Sequence, residues 1–162
     1  MNLLKLLFFI CFGFFVIEDG FSQKSYTISN DSLAKLSTES IIENLNAETE
    51  SIHFDSGSYD LDNSSKFRLE RLAEALNRQP VLEILIVAHT DSKGADSYNV
   101  WLSEKRAESI KIFLVNRKVS EVRIYVEAFG EKKPKNKCID GVICEEILHR
   151  ENRRVEFVIF RD

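Results

Sequence analysis

A chain of 162 residues, 44% hydrophobic and 30% charged, suffices for one compact domain with an N-terminal extra and is too short for two domains of usual size. A formal net charge of -4 argues against affinity built on neutralising phosphates, so no nucleic-acid partner is expected.

The first segment, MNLLKLLFFICFGFFVIEDGFSQ, places Lys5 ahead of an apolar run from Leu6 to Ile17, then Gly20 and Ser22 at small-residue positions. It reads as a secretory signal over residues 1–22, cleaved after Ser22. The run is shorter than the ~20 apolar residues that span a bilayer core, which weighs against an uncleaved anchor. Cys11 follows Phe8-Phe9-Ile10 and lacks the small residues a lipid-attachment site needs just before it. Export leaves Cys138 and Cys144 as an even pair in a disulfide-permissive compartment, and a disulfide closing a seven-residue loop is expected between them.

Residues 23–49 are rich in Ser, Thr, Asn and Glu, with only Leu33, Leu36, Ile41 and Leu45 as candidates for a helix face. They read as a tether or a short surface helix. From Ser51 the pattern tightens into a domain over residues 50–162. Ile52 and Phe54 mark a short strand, and a run of turn residues leads to a helix starting near Asn63 or Ser64. Leu69, Leu72, Ala73 and Leu76 give that helix one buried face, and Pro80 stops it. Val81 to Ala88 is nearly continuous and β-branched, as a central strand is.

The turn-rich loop His89 to Asp96 follows, with Asp96 as expected N-cap of a second helix, roughly Ser97 to Arg117, buried along Ala107, Ile110 and Leu114. Val122 to Phe129 alternates as a third strand. A long irregular segment from Gly130 to about Glu151 precedes a last strand with Val155, Phe157 and Ile159. The order β-α-β-α-β-β predicts an α+β two-layer sandwich, a mixed sheet with helices on one face.

Asp91 lies just past a strand end, where open sheets place their ligand crevice. Asn99 and Arg106 are seven residues apart on one stripe of the next helix, whose side chains lean toward its N-terminus and hence toward the Asp91 loop. One anion, one planar cation and one amide around a single mouth complement a zwitterion bearing an ammonium and a carboxylate on the same carbon. Both charges then act on a ligand, and folding is expected to survive the loss of either.

HTDSKG from His89, Tyr98-Asn99, LSEKRA from Leu102, FGEKKP from Phe129 and NRRVEF from Asn152 match, in order and spacing, the motifs of the OmpA-like C-terminal domain family, which residues 50–162 resemble. The resemblance implies the same β-α-β-α-β-β sandwich and non-covalent binding of peptidoglycan through meso-diaminopimelate of the stem peptide. It implies a periplasmic place that can extend to association with the outer membrane. Asp91 falls where the family takes the ligand's ammonium and Arg106 where it takes the carboxylate. Thr90, Asn99, Asp55 and Arg153 fall on positions lining the family pocket. Arg153 and Arg154 would face opposite sides of a strand, and which of them lines the pocket stays open. Ala88 departs from the family's usual Gly.

His53, His89 and His149 show no pair with the short fixed spacing of zinc ligands, so no metal or other cofactor is expected. His89 reads as a packed strand-end residue and Trp101 as the edge of the core, with a sugar-stacking platform as the alternative. No nucleophile elbow, phosphate-cradling loop or paired catalytic carboxylates can be read, which leaves a wall hydrolase without machinery. The rival to wall binding is an envelope protein-docking subunit, with Trp101 and the Gly130–Glu151 segment as its surface.

Overall fold

The fold comes from a computed structural model, which describes residues 30–49 and 51–161. The expected signal segment, with Cys11, lies outside the described residues. Elements run in the order α1 (Asn30–Glu48), β1 (Ile52–His53), α2 (Asn63–Arg78), β2 (Glu83–Ala88), α3 (Asp96–Asn116), a 3-10 turn (Glu121–Arg123), β3 (Ile124–Ala128), α4 (Glu146–Asn152) and β4 (Arg154–Phe160).

The sheet has the order β1-β4-β2-β3. β2 and β3 are parallel, as a crossover through α3 requires, while β4 inserts antiparallel to both β1 and β2. Alternation on β2 buries Ile84, Ile86 and Ala88 against Leu69, Leu72 and Leu76 of α2 and Ala107, Ile110 and Leu114 of α3. At about 1.5–3 kcal/mol for each large apolar side chain removed from water, this layer is the main stabilising term. The mixed sheet and the two expected core helices stand as the sequence predicts.

The boundaries carry their own physics. Asp62 accepts from the Ser65 amide at 2.7 Å and starts α2. Asp96 is not the cap of α3: Ala95 holds that position without a side-chain bond, and Asp96 is the first helical residue, where its charge still suits the helix dipole. α3 stops without glycine. Lys118 takes φ 71°, and Val119 donates to Leu114 while Lys118 donates to Val115, the paired bonds of a Schellman close, with Val119 buried.

β3 begins two residues later than the alternation of VRIYVEAF suggests. Arg123 is drawn away to donate from Nη1 to the Leu76 and Leu82 carbonyls at 3.1 and 2.8 Å, capping the end of α2 and bending residues 121–123 into the 3-10 turn.

Residues 30–48 are not a tether but a helix, longer than expected, with nineteen residues docked on the sheet along one side. Ile41, Ile42 and Leu45 pack against the core. Asn46 donates to the Ile159 carbonyl at 2.8 Å and accepts from its amide at 2.7 Å, covering β4 where the two-residue β1 leaves it bare. Among the described residues no helix is long and apolar enough to cross a membrane.

α4 corrects the reading of Gly130–Glu151 as irregular. Its buried residues are His149 and Asn152, so it presents no apolar stripe to read. Asn152 holds it down by accepting from the Lys135 amide and donating to the Cys138 carbonyl. Cys138 and Cys144 are disulfide-bonded, with Cα atoms 5.8 Å apart. Chain entropy assigns a loop of this length about 2 kcal/mol. Reduction should therefore lower the urea midpoint without abolishing folding, and two free thiols in the unfolded, unreduced exported protein would rule the bridge out.

Candidate functional site

The loop after β2 enters the site because the strand ends are tied. His89 donates from its amide to the Arg154 carbonyl and Thr90 to that of Gly130, at 2.9 and 2.8 Å. Asp91 then projects from the end of β2, beside the C-terminal end of α4, and is 5% exposed. Its Oδ2 accepts from Arg153 Nη1 at 2.8 Å, with His149 Nδ1 3.8 Å away. Among the described residues its Oδ1 meets a single long contact, from the Lys93 amide at 3.4 Å.

Arg106 leans from α3 toward this loop, as helix geometry predicts, but it is 0% exposed. It donates from Nε to Ser58 O at 2.9 Å, from Nη1 to His89 O at 3.0 Å and from Nη2 to Asp55 O at 3.0 Å, with its guanidinium carbon 5.1 Å from the Phe54 ring centroid. Burial lowers its pKa to about 10 against the favourable charge of Asp91, so it stays cationic at neutral pH. Arg106 is thus a structural clamp between the β1–α2 and β2–α3 loops, a role in the fold beyond the ligand binding expected of it.

Arg153, not Arg154, faces Asp91. Arg153 Nε also donates to Phe54 O at 3.1 Å, so the two guanidinium groups hold consecutive carbonyls of residues 54 and 55. Burial works against the Arg153 charge, but its bonds to Asp91 and Glu146 outweigh it and raise its pKa. Arg154 pairs instead with Glu156 at 2.7 Å. Asp55 is exposed, and the interaction seen for it is through its backbone carbonyl.

Asn99, also buried, donates to Glu131, and its Oδ1 faces Gly94, 3.9 Å from where a Cβ there would stand. Among the described residues neither Asn99 Oδ1 nor Thr90 Oγ1, both buried, has a hydrogen-bond partner. Orphaned buried oxygens are costly unless something outside the chain satisfies them.

At the rim, Glu146 bridges Arg153 Nη2 and Lys93 Nζ, both at 2.7 Å. The bonds to Lys93 and then Arg153 hold its pKa down to about 2. Glu146 and His149 are site neighbours hidden from the sequence because α4 shows no apolar period, and Lys93 joins them through its bond to Glu146. Two grooves elsewhere, of about 590 and 410 Å³, include none of the candidate residues in their linings.

His89 packs at the strand end as expected. It stacks on Phe129, centroids 5.8 Å apart, and burial, aided by Arg154, pushes its pKa from 6.5 to about 4. The imidazole is neutral when folded, while the unfolded chain binds a proton near pH 6.5. Stability is therefore held in full above that pH and falls as pH drops toward 4, by about 3 kcal/mol from this residue. His53, also lowered by burial, adds in the same direction. Urea midpoints should fall between pH 7 and 5 and fall less in His89→Phe; equal losses in both proteins would exclude His89 as the source.

Cys138 Sγ, Cys144 Sγ and a His149 nitrogen lie within 4.8 Å of one another. With the sulfurs joined they are not thiolates, the form that ligates metal. Trp101 is not core: it is 42% exposed and packs on Tyr59 and Tyr98.

The chain is 38% identical over 86 residues to a peptidoglycan-associated lipoprotein of Legionella pneumophila, covering 53% of this chain and 46% of that one. Over 118 residues it is 30% identical to the peptidoglycan-associated lipoprotein of Buchnera aphidicola, covering 72% of this chain and 68% of that one. It is 37% identical over 93 residues to outer membrane protein A of Bordetella avium, 56% of this chain and 44% of that one. The chain thus spans about half the length of the first and third of these relatives.

The crystal structure of the peptidoglycan-associated lipoprotein from Burkholderia pseudomallei superposes with a TM-score of 0.64 at 28% identity, covering 74% of this chain and 99% of that one. The C-terminal domain of Helicobacter pylori MotB shares the fold at 18% identity, TM-score 0.61, over 70% of this chain and 86% of that one. The OmpA family matches residues 53–142, which hold Asp55, Thr90, Asp91, Asn99 and Arg106 and end before Arg153. With more than half of its length matched, the chain belongs to the OmpA family.

Proposed function

We propose that the chain is a non-catalytic module that holds peptidoglycan in the cell envelope, and that it grips the diaminopimelate of the stem peptide. It works in the periplasm in association with the outer membrane, in keeping with the names of its relatives, peptidoglycan-associated lipoprotein and outer membrane protein A.

The observation that carries the reading is a charge imbalance. Two buried guanidinium groups, Arg106 and Arg153, stand against one buried carboxylate, Asp91, which bonds to Arg153 and acts on Arg106 through its charge alone. Arg106 uses three of its five N–H groups on carbonyls and keeps one on each terminal nitrogen. A ligand carboxylate supplies the missing anion, and Glu146, exposed and bound to Arg153, occupies that role until it is displaced. Glu146 is exposed and returns to water when a ligand carboxylate takes its place on the buried Arg153. The ligand's ammonium is met by Asp91 Oδ1, Asn99 Oδ1 and Thr90 Oγ1, acceptors that the protein leaves under-used.

Retention of the mature protein on purified sacculi tests this. Release by free diaminopimelate is the expected result. Retention that is lost only when other envelope proteins are stripped from the sacculi would replace the proposal with protein docking.

A further inference from the structure

Tyr59, Tyr98 and Trp101 lie side by side on the surface, 42%, 43% and 42% exposed. Trp101 sits edge-on to Tyr59 at 6.1 Å between centroids and tilted by 31° to Tyr98 at 5.6 Å. The core does not use them, and together they are a wet, apolar surface with polar tips: two phenol hydroxyls and one indole N–H.

Their place is set by the loops that build the charged site. Tyr98 lies against two glycines, its hydroxyl 3.6 Å from where a Cβ on Gly57 would stand and its Cδ1 3.6 Å from one on Gly94. Both glycines have positive φ, so the loops come close to the ring with no side chain between. The Gly57 loop supplies the Asp55 and Ser58 carbonyls that hold Arg106, and the Gly94 loop carries Asp91. The aromatic surface therefore begins where the charged site ends.

We infer that this surface is a carbohydrate subsite that stacks an N-acetylated amino sugar of the glycan strand while the charged site holds the attached stem peptide. The inference rests on the proposed peptide grip. A stem peptide is covalently joined to a sugar, so a peptide whose diaminopimelate sits at Asp91 keeps a pyranose within the reach of two residues, about 7 Å, of the site. A pyranose has the complementary chemistry: a C–H face for the rings and a hydroxyl rim for their polar tips.

The test compares a soluble disaccharide-tripeptide with the free tripeptide, both containing diaminopimelate, by calorimetry and by the emission of Trp101, the chain's only tryptophan. The disaccharide-tripeptide should bind about tenfold more tightly and shift the emission, while the tripeptide should not. Trp101→Ala should erase that advantage and leave tripeptide affinity unchanged, and Trp101→Phe should restore part of it. Equal affinity for the two ligands with silent emission overturns the subsite and leaves the peptide grip standing. Absence of binding by either ligand overturns both. Loss of a defined envelope protein from Trp101→Ala, with its sugar advantage intact, assigns the surface to protein docking instead.

Discussion

Arg106→Ala should lower the unfolding free energy by about 3–5 kcal/mol, more than loss of an ordinary surface arginine costs by several-fold. The side chain is wholly buried and ties three backbone carbonyls, those of Asp55, Ser58 and His89, from two different loops. Each carbonyl left without a donor costs about 1–3 kcal/mol, reduced where water enters the cavity or a second donor exists, as the Ser58 amide does for Asp55 O. Set against a total of about 5–15 kcal/mol for a domain, the variant folds but melts early. Arg106→Lys keeps the charge yet cannot span three carbonyls with a planar fork, so it should fall between the two. Urea unfolding with an unchanged m-value is the measurement. A loss under about 1 kcal/mol in Arg106→Ala would show that the clamp carries no weight.

Much of the fold is legible in the sequence because its buried faces are apolar and periodic: Leu69, Leu72, Ala73 and Leu76 on α2, Ala107, Ile110 and Leu114 on α3, and alternate residues of β2. What is not legible is held by polar side chains. α4 buries His149 and Asn152, α1 docks partly through the Asn46 amide, and β3 starts late because Arg123 caps α2. α4 and the Arg123 cap leave no hydrophobic period, and α1 leaves only the sparse one of Leu33, Leu36, Ile41 and Leu45. The site shows the same division. Asp91 at a strand end and Arg106 two turns after Asn99 follow from spacing, and the structure pairs Asp91 with Arg153 while Arg106 bonds to backbone carbonyls nearby. That Arg106 is also a clamp depends on where the carbonyls of residues 55 and 58 fall, some fifty residues earlier in the chain, which spacing along one helix does not carry.

Asp91→Asn should weaken binding of a diaminopimelate-containing peptide by thirtyfold or more. Removing one member of a desolvated charge pair typically costs about 2–5 kcal/mol, and the lower end of that range already corresponds to thirtyfold. Asparagine keeps the size and one acceptor oxygen, so the Arg153 contact at 2.8 Å can persist as a hydrogen bond to a neutral amide, but the ammonium loses its counter-charge. Glu146 supplies a control of opposite sign. It is exposed and sits on Arg153 Nη2, where the proposal seats the ligand's carboxylate, so Glu146→Gln should leave Arg153 readier for the ligand and bind more tightly. A general loss of order at the site would weaken both variants, whereas competition for one guanidinium drives them apart. Calorimetry on the two folded variants decides between these, and unchanged affinity in Asp91→Asn would remove Asp91 from the binding site.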